Sequence, residues 1–579
     1  MQGVFSMAHE TALTTTTTAP AIFKPDTAVI NASVTPELAQ RLQFISDSAL
    51  KNGVHVIGAP GSGKTTLLGI MAWQMLLRNQ PTVIVDPTGG IVAYLIHKIS
   101  QLPVAYRKKL WRRITYVDAG AKDYIVPSPL LFKLSADEEL FETANRFPQV
   151  LKLRDPDLQS APILGWNSLF ECAEYGNQIA AALGEQIGFV ADFIAHPERY
   201  KKRLNEALKQ HPELQAAADY FRELMDPKSS RLREQRTRSF ANKLLPFMAD
   251  RTMLATFGSR RSGIDWEKVE RTGGSVWFDF GHELDRERRQ FKLIWYFRSF
   301  LDYIKHRGIA GRGREFNLFV DEISQMIGYD RQQSVMAGEL EELISVLGRG
   351  FGVNNIIAHQ RLSQFDETIQ DVLMSMGTQI IGTVATYDDA RRLAEQFLRY
   401  NPYWEKKKEP IWMSNMFGAF VVDYRTVEFS LDEQLRMAAE QFMRLPRFKF
   451  FGSLAASEGN IARQLKRLSI ANMDRGQYPD VTQVEQVRAL LRQKCGIPID
   501  TLLAEIQGRQ LPPVAQNQPQ KSAEKSVKLK PKDANALPDT HQSDSFEPAA
   551  AAAASAPRRR KPPRNIWEEG KTHEPNISD

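Results

Sequence analysis

Short runs dominated by β-branched and aromatic residues recur along this chain, separated by stretches with apolar residues every three or four positions. The runs are Val54–Ile57, Thr82–Asp86, Ile114–Asp118, Gly274–Phe280, Phe316–Val320, Val353–Gln360 and Gly377–Val384. Apolar runs of that length with little alternation predict strands buried on both faces. Helical spacing begins at Thr66 and recurs at about Arg286 to His306, Ser334 to Leu347 and Asp388 to Phe397. Strand, helix, strand in that order predicts βαβ units and a mainly parallel sheet.

From about Ser135 to Phe257 the strand-like runs thin out and helical spacing takes over, as at Phe189–Ile194, Leu204–Leu208, Tyr220–Leu224 and Phe240–Met248. This predicts an all-α insertion in the α/β fold. The expected organisation is a flexible segment (1–34), a first core part (35–134), the insertion (135–257), a second core part (258–452), a helical segment (453–509) and a tail (510–579). Thr35 and Pro36 form a helix-start signal, so a helix is expected from there to about Asn52. Gly418–Tyr424 and Val427–Phe429 predict a late hairpin. The tail is rich in Pro, Gln, Lys and Ala and ends near the basic cluster Arg558–Lys561, so disorder is expected there.

Candidate chemistry centres on Gly58, Ala59, Pro60, Gly61, Ser62, Gly63, Lys64, Thr65 and Thr66, which satisfy G-x-x-x-x-G-K-[ST] between a strand and a helix. Such a loop turns successive N–H groups toward one phosphate chain, reinforced by the helix N-terminus. Lys64 would reach the β- and γ-phosphates of ATP and the Thr65 hydroxyl would ligate Mg2+. Phe316–Glu322, an apolar strand ending in two carboxylates, is the Walker B pattern. Asp321 would hold Mg2+ through water and Glu322 would polarise the attacking water. Gln360 ends a further strand, where it either senses the γ-phosphate or the attacking water or is an ordinary strand-end glutamine. Arg231–Arg238 is basic and reads either as a phosphate-facing surface or as a solvated helix face.

Composition narrows the class. The apolar fraction is 42% and the charged fraction 25%, values of a globular protein. The net charge of +7 permits a polyanionic partner without requiring one. Two cysteines with no C-x-x-C pattern exclude a disulfide framework and fit a reducing compartment. No signal peptide or transmembrane-length run is evident, so a cytoplasmic protein is expected, peripheral to any membrane complex it serves.

The ordered set of motifs resembles the HerA–FtsK superfamily of DNA-pumping ATPases, and within it the coupling proteins of type IV secretion and conjugative DNA transfer. The resemblance spans roughly residues 50 to 450. It rests on Gly58–Thr65, the Asp86-Pro87-Thr88-Gly89 turn, the helical insertion, Leu318–Glu322, Arg349 in a Gly-Arg-x-Phe-Gly turn, Ile356–Gln360 and Met376–Thr383 followed by Asp388-Asp389-Ala390. It implies a RecA-like P-loop core and a homo-hexameric ring with nucleotide at subunit interfaces. It also implies Gln360 as sensor glutamine, Arg349 as an arginine finger reaching a neighbour, and DNA as the substrate, single- or double-stranded. Implied partners are a secretion channel, a relaxase or a nuclease. The chain departs by lacking N-terminal transmembrane helices and by carrying Thr88 where Asp-Pro-Lys-Gly is usual. The function expected is an ATP-hydrolysing DNA translocase. The alternatives are a cytoplasmic HerA-type translocase acting with a nuclease and a nucleotide switch or scaffold.

Overall fold

The computed structural model describes residues 27–29, 44–46, 50–128, 140–154, 163–308, 313–327, 338–453, 466–469 and 479–506. The expectations for the remainder of 1–34 and for the 510–579 tail lie outside these residues. A nine-stranded sheet organises the chain. Its order is Lys466–Ser469, Lys449–Ser453, Thr378–Ile381, Val54–Ile57, Val353–His359, Phe316–Val320, Thr82–Asp86, Ser275–Asp279 and Ile114–Asp118. From Thr378–Ile381 onward every pairing is parallel, and the first two strands add antiparallel at one edge. This is the expected α/β class, a mainly parallel sheet with an all-helical stretch between two of its strands.

Period-two alternation sends neighbouring side chains to opposite faces. Val83, Val85, Val276 and Phe278 enter one core, and Ile84, Trp277 and Tyr116 enter the other. The second core is closed by the helices Lys64–Leu77, Gly90–Ser100 and Val481–Cys495, through Leu67, Met71, Ile91, Leu95, Val484 and Leu491. The first is closed by the helix Arg286–Arg307 and by the insertion. Between Leu140 and Phe257 the described residues are helical or in short connections, and their core is continuous with the sheet's. Aromatic side chains make the join: the Phe247 ring centroid lies 4.8 Å from that of Phe291, and Phe257 lies 5.2 Å from Trp295. Among the described residues no helix is long and apolar enough to cross a membrane.

Four expectations change. Within the span 35–52, where a helix is expected, the described residues Phe44–Ser46 form a strand antiparallel to Thr27–Val29. Cross-strand pairing there satisfies backbone groups that a local propensity reading assigns to a helix. The late hairpin exists, but Gly418–Glu428 is a single strand whose partner is Glu405–Asn415. That partner opens Glu405-Lys406-Lys407-Lys408-Glu409-Pro410, which has no apolar alternation to betray a strand. Ile411, Trp412, Met413, Met416, Phe417, Phe420, Val422 and Tyr424 of this hairpin are all exposed. Gly348–Phe351, expected as a turn, continues the π-helical Glu342–Leu347 as a helical turn and stops at Gly352, whose φ of +71° ends a helix without steric cost. The 453–509 region also supplies the edge strand Lys466–Ser469, antiparallel to Lys449–Ser453, before the helices Val481–Cys495 and Ile499–Ile506.

Candidate nucleotide-binding site

Gly58–Gly63 links the central strand Val54–Ile57 to the helix Lys64–Leu77. Gly61 and Gly63 take φ of +78° and +104°, which only glycine adopts freely. The Gly63 position is also closed by packing, since a Cβ there would stand 2.5 Å from Phe448 Cδ1. Neighbouring strands fix the loop's start: Gly58 N–H donates to the His359 carbonyl and Ala59 N–H to the Thr383 carbonyl. Its end is fixed by Phe448 N–H donating to the Ser62 carbonyl. The first-turn N–H groups of the helix have no carbonyl behind them to bond and point out of its N-terminus.

Lys64 is buried and donates to the Gly58 carbonyl at 2.6 Å. Its Nζ also stands 3.5 Å from Glu322 Oε1. Thr65 Oγ1 donates to Asp321 Oδ2 at 3.0 Å. Asp321 and Glu322 follow the strand Phe316–Val320, which lies one strand away from Val54–Ile57 with Val353–His359 between them. Glu322 is non-glycine at φ +48°, a sparsely populated conformation that cants its side chain toward the loop lysine. Burial and the adjacent Glu322 raise the Asp321 carboxyl to about 6, against the pull of Lys64 and the Thr65 hydroxyl.

The residues present fit ATP with Mg2+. Ser62 Oγ is buried inside the loop with no hydrogen-bond partner, an orphaned polar atom in the motif itself. A Cβ at Gly61 would meet nothing within 4 Å, so the crown of the loop is open to a ligand. Thr65 and Asp321 are the oxygen donors for a hard divalent ion.

Sequence reasoning missed a row of carboxylates that extends this site along the sheet. Asp321, Asp86, Asp279 and Asp118 stand at or just past the ends of four successive strands. Asp86 accepts from the Thr88 N–H and hydroxyl and from Val92 N–H, which shapes the Asp86–Gly89 turn. Its carboxyl is raised to about 6 by burial and then by the Asp321 charge. Asp279 is raised to about 6 by burial, with Arg488 opposing. Two arginines from the helix Val481–Cys495 neutralise the far end. Arg488 Nε lies 3.0 Å from Asp279 Oδ2, and Arg492 Nη1 donates to Asp118 Oδ2 at 2.9 Å. Stripping one partner from such a buried pair costs about 3–5 kcal/mol, because the other is left as a lone buried charge. The recurrence of Asp at strand ends was a usable signal; nothing local marks Arg488.

A second buried polar chain runs beneath the loop. Gln379 donates through Nε2 to the carbonyls of Leu373, Met374 and Met376, so its Oε1 faces His55 Nδ1 at 2.5 Å as an acceptor. His55 Nε2 meets His359 Nε2 at 2.6 Å, and His359 Nδ1 lies 3.1 Å from the Arg361 carbonyl. Burial lowers His55 to about 4 and holds His359 well below its usual range, with His55 and Lys64 adding repulsion.

Of the remaining sequence candidates, Gln360 directly follows the strand Val353–His359 instead of ending it, and Ile57 pairs with His359, so Gln360 sits beside the start of the phosphate loop. The backbone of Arg349 lies in the Gly348–Phe351 turn at the opposite end of that strand, and its side chain is outside the described set. The basic run is largely neutralised: Arg233 pairs with Glu198, Arg236 with Glu223 and Arg238 with Glu234. That pattern fits the solvated-face reading.

No family model and no curated protein matches the chain. Among solved structures it is similar to the bacterial conjugative coupling protein TrwBdeltaN70, at 12% identity over 78% of this chain and 90% of that one, with a TM-score of 0.45. It is similar to the plasmid coupling protein TrwB in complex with ADP and Mg2+, at 13% identity over 78% and 95%, TM-score 0.42. It is also similar to VirB4 of Thermoanaerobacter pseudethanolicus, at 11% identity over 78% and 97%, TM-score 0.43.

Proposed function

We propose that this chain is a Mg2+-dependent ATPase that works as a homo-hexameric ring and moves DNA. The observation that carries the ATPase reading is the 3.0 Å hydrogen bond from Thr65 to Asp321 beside the 3.5 Å Lys64–Glu322 pair. It brings two pairs of adjacent residues, 256 positions apart, into the arrangement that phosphoryl transfer to water requires. The loop N–H groups and Lys64 bind and orient the phosphates. Thr65 and Asp321 hold Mg2+, which supplies charge neutralisation on the phosphate oxygens. Glu322 orients the attacking water and takes its proton. Gln360, beside the loop, is placed to sense the terminal phosphate.

The DNA and ring parts of the reading rest on the ordered motif set and the positive net charge of +7. The test is ATP turnover with and without single- and double-stranded DNA, alongside native mass. Turnover that rises several-fold with DNA in a hexamer supports the motor; slow turnover indifferent to DNA favours a nucleotide switch. The ring and Arg349 are tested together by mixing Arg349→Ala and Lys64→Ala subunits, each inactive alone. Random mixing leaves about one interface in four with both the loop and the arginine intact. A finger acting in trans is worth roughly 10³-fold or more, so rescue is visible if Arg349 is one.

A further inference from the structure

Arg488 occupies a place where an apolar residue is expected. Val484, Arg488 and Leu491 form the buried stripe of the helix Val481–Cys495, and the two apolar members join the sheet core. The guanidinium between them is 8% exposed and reaches in three directions. Nε pairs with Asp279 at 3.0 Å, Nη1 donates to Glu485 at 2.6 Å, and Nη2 donates to the Gly89 carbonyl at 2.9 Å. Asp279 is itself held by the Tyr116 hydroxyl and by Gly281 N–H.

The Gly89 contact leads to the nucleotide site. Gly89, at φ +73°, caps the helix Gly90–Ser100, and its carbonyl also accepts from Ala93 N–H. The next residue, Gly90, approaches Thr65 so closely that a Cβ there would stand 2.7 Å from Thr65 Cγ2. Thr65 in turn donates to Asp321. A path of direct contacts therefore runs from Arg488 through the Gly89–Gly90 turn to the hydroxyl that would ligate the metal.

We propose that Arg488 is a positioning residue of the Mg2+–nucleotide site: by pinning the Gly89–Gly90 turn it holds Thr65 where its hydroxyl can bind metal. The inference rests on the ATPase reading above. It makes the helix Val481–Cys495 part of the site's supporting shell. Outer-shell partners of this kind typically change metal affinity or activity by about 10–100-fold when removed.

The test uses the full chain and mant-ATP, a fluorescent ATP analogue, titrated with Mg2+ and with EDTA. Arg488→Gln is expected to keep the Mg2+-free affinity, which the loop and Lys64 supply. It should lose about tenfold or more of the gain that Mg2+ adds, and raise the Mg2+ concentration for half-maximal ATP turnover by a similar factor. Arg488→Lys, which keeps the charge but not the forked reach, should fall between. Gly90→Ala pushes on Thr65 from the same turn with Arg488 intact and should give the same signature; it decides the matter if Arg488→Gln fails to fold. A purely structural role would lower the active fraction without moving the Mg2+ midpoint. An unchanged Mg2+ gain in Arg488→Gln or in Gly90→Ala overturns the proposal. A wild-type chain with neither Mg2+-dependent binding nor turnover overturns the ATPase reading itself.

Discussion

Lys64 Nζ stands 3.5 Å from Glu322 Oε1, tying the loop lysine to the carboxylate that follows the strand Phe316–Val320, two places along the sheet. Phosphate oxygens would compete for the ammonium and release Glu322 toward water. Lys64→Ala should therefore lower ATP turnover by about 10²–10³-fold, the usual effect of losing one preorganised donor. Circular dichroism should show an intact fold, with a lower melting temperature because Glu322 is left without its buried partner.

Glu322→Gln keeps the shape of the side chain and removes its basicity. Turnover should fall by about 10²–10⁴-fold while mant-ATP binding with Mg2+ stays near wild type. Loss of binding instead of turnover would make Glu322 a structural residue.

Burial raises the Asp321 carboxyl to about 6, so protonation competes with metal binding just below neutrality. Affinity for Mg2+–mant-ATP should weaken as pH falls through about 6, and affinity measured in EDTA should change less over the same range. Asp321→Asn should lose most of the Mg2+ gain and flatten that difference. A wild-type Mg2+ gain that is constant from pH 7.5 to 5 would place the metal elsewhere.

The buried histidines carry the opposite sign to the buried aspartates. His55 falls from 6.5 to about 4 on folding, so the unfolded chain binds more protons between those values. Its contribution to stability is full above pH 6.5 and is lost as pH falls toward about 4. Asp86, Asp279 and Asp321, each raised to about 6, bind more protons when folded and favour the native state on acidification. His55→Gln removes the His55 contribution and the part of the His359 depression that His55 causes, which has the same sign. The melting-temperature advantage of wild type over His55→Gln should shrink from pH 7.5 to pH 5. An advantage that grows on acidification would mean that His55 is protonated in the native state.

The sequence made some of this site plain and hid the rest, for a physical reason. Phosphate binding is performed by a contiguous loop, so Gly58–Thr66 is legible from spacing alone. Asp321 and Glu322 are legible because a buried strand announces itself and they follow it. The supporting contacts are long-range. Arg488 and Gly89 are 399 positions apart, and no local pattern joins them. The parallel sheet was legible from its β-branched runs, whereas the Glu405–Asn415 strand was not, because its exposed residues need no alternation. The arginine-rich helix left two readings open in the sequence, and its glutamate partners, distant or a turn away, favour the solvated face.

The central place of the Val54–Ile57 strand has a consequence for how the protein is made. Both its neighbours lie far downstream: His55 meets His359 across 304 positions and Gln379 across 324. At ribosomal speeds of about 5–20 residues per second, the strand waits roughly 15–60 s for its first partner to be synthesised. During that time its backbone is unpaired on both sides, while the strands from Thr82 to Val320 can pair with one another and the helical insertion, rich in local contacts, can already condense. A nascent chain released before Val353 thus carries the complete phosphate-loop motif without the strands that hold it in shape, and such a fragment is a client for chaperones before it is a binder of nucleotide.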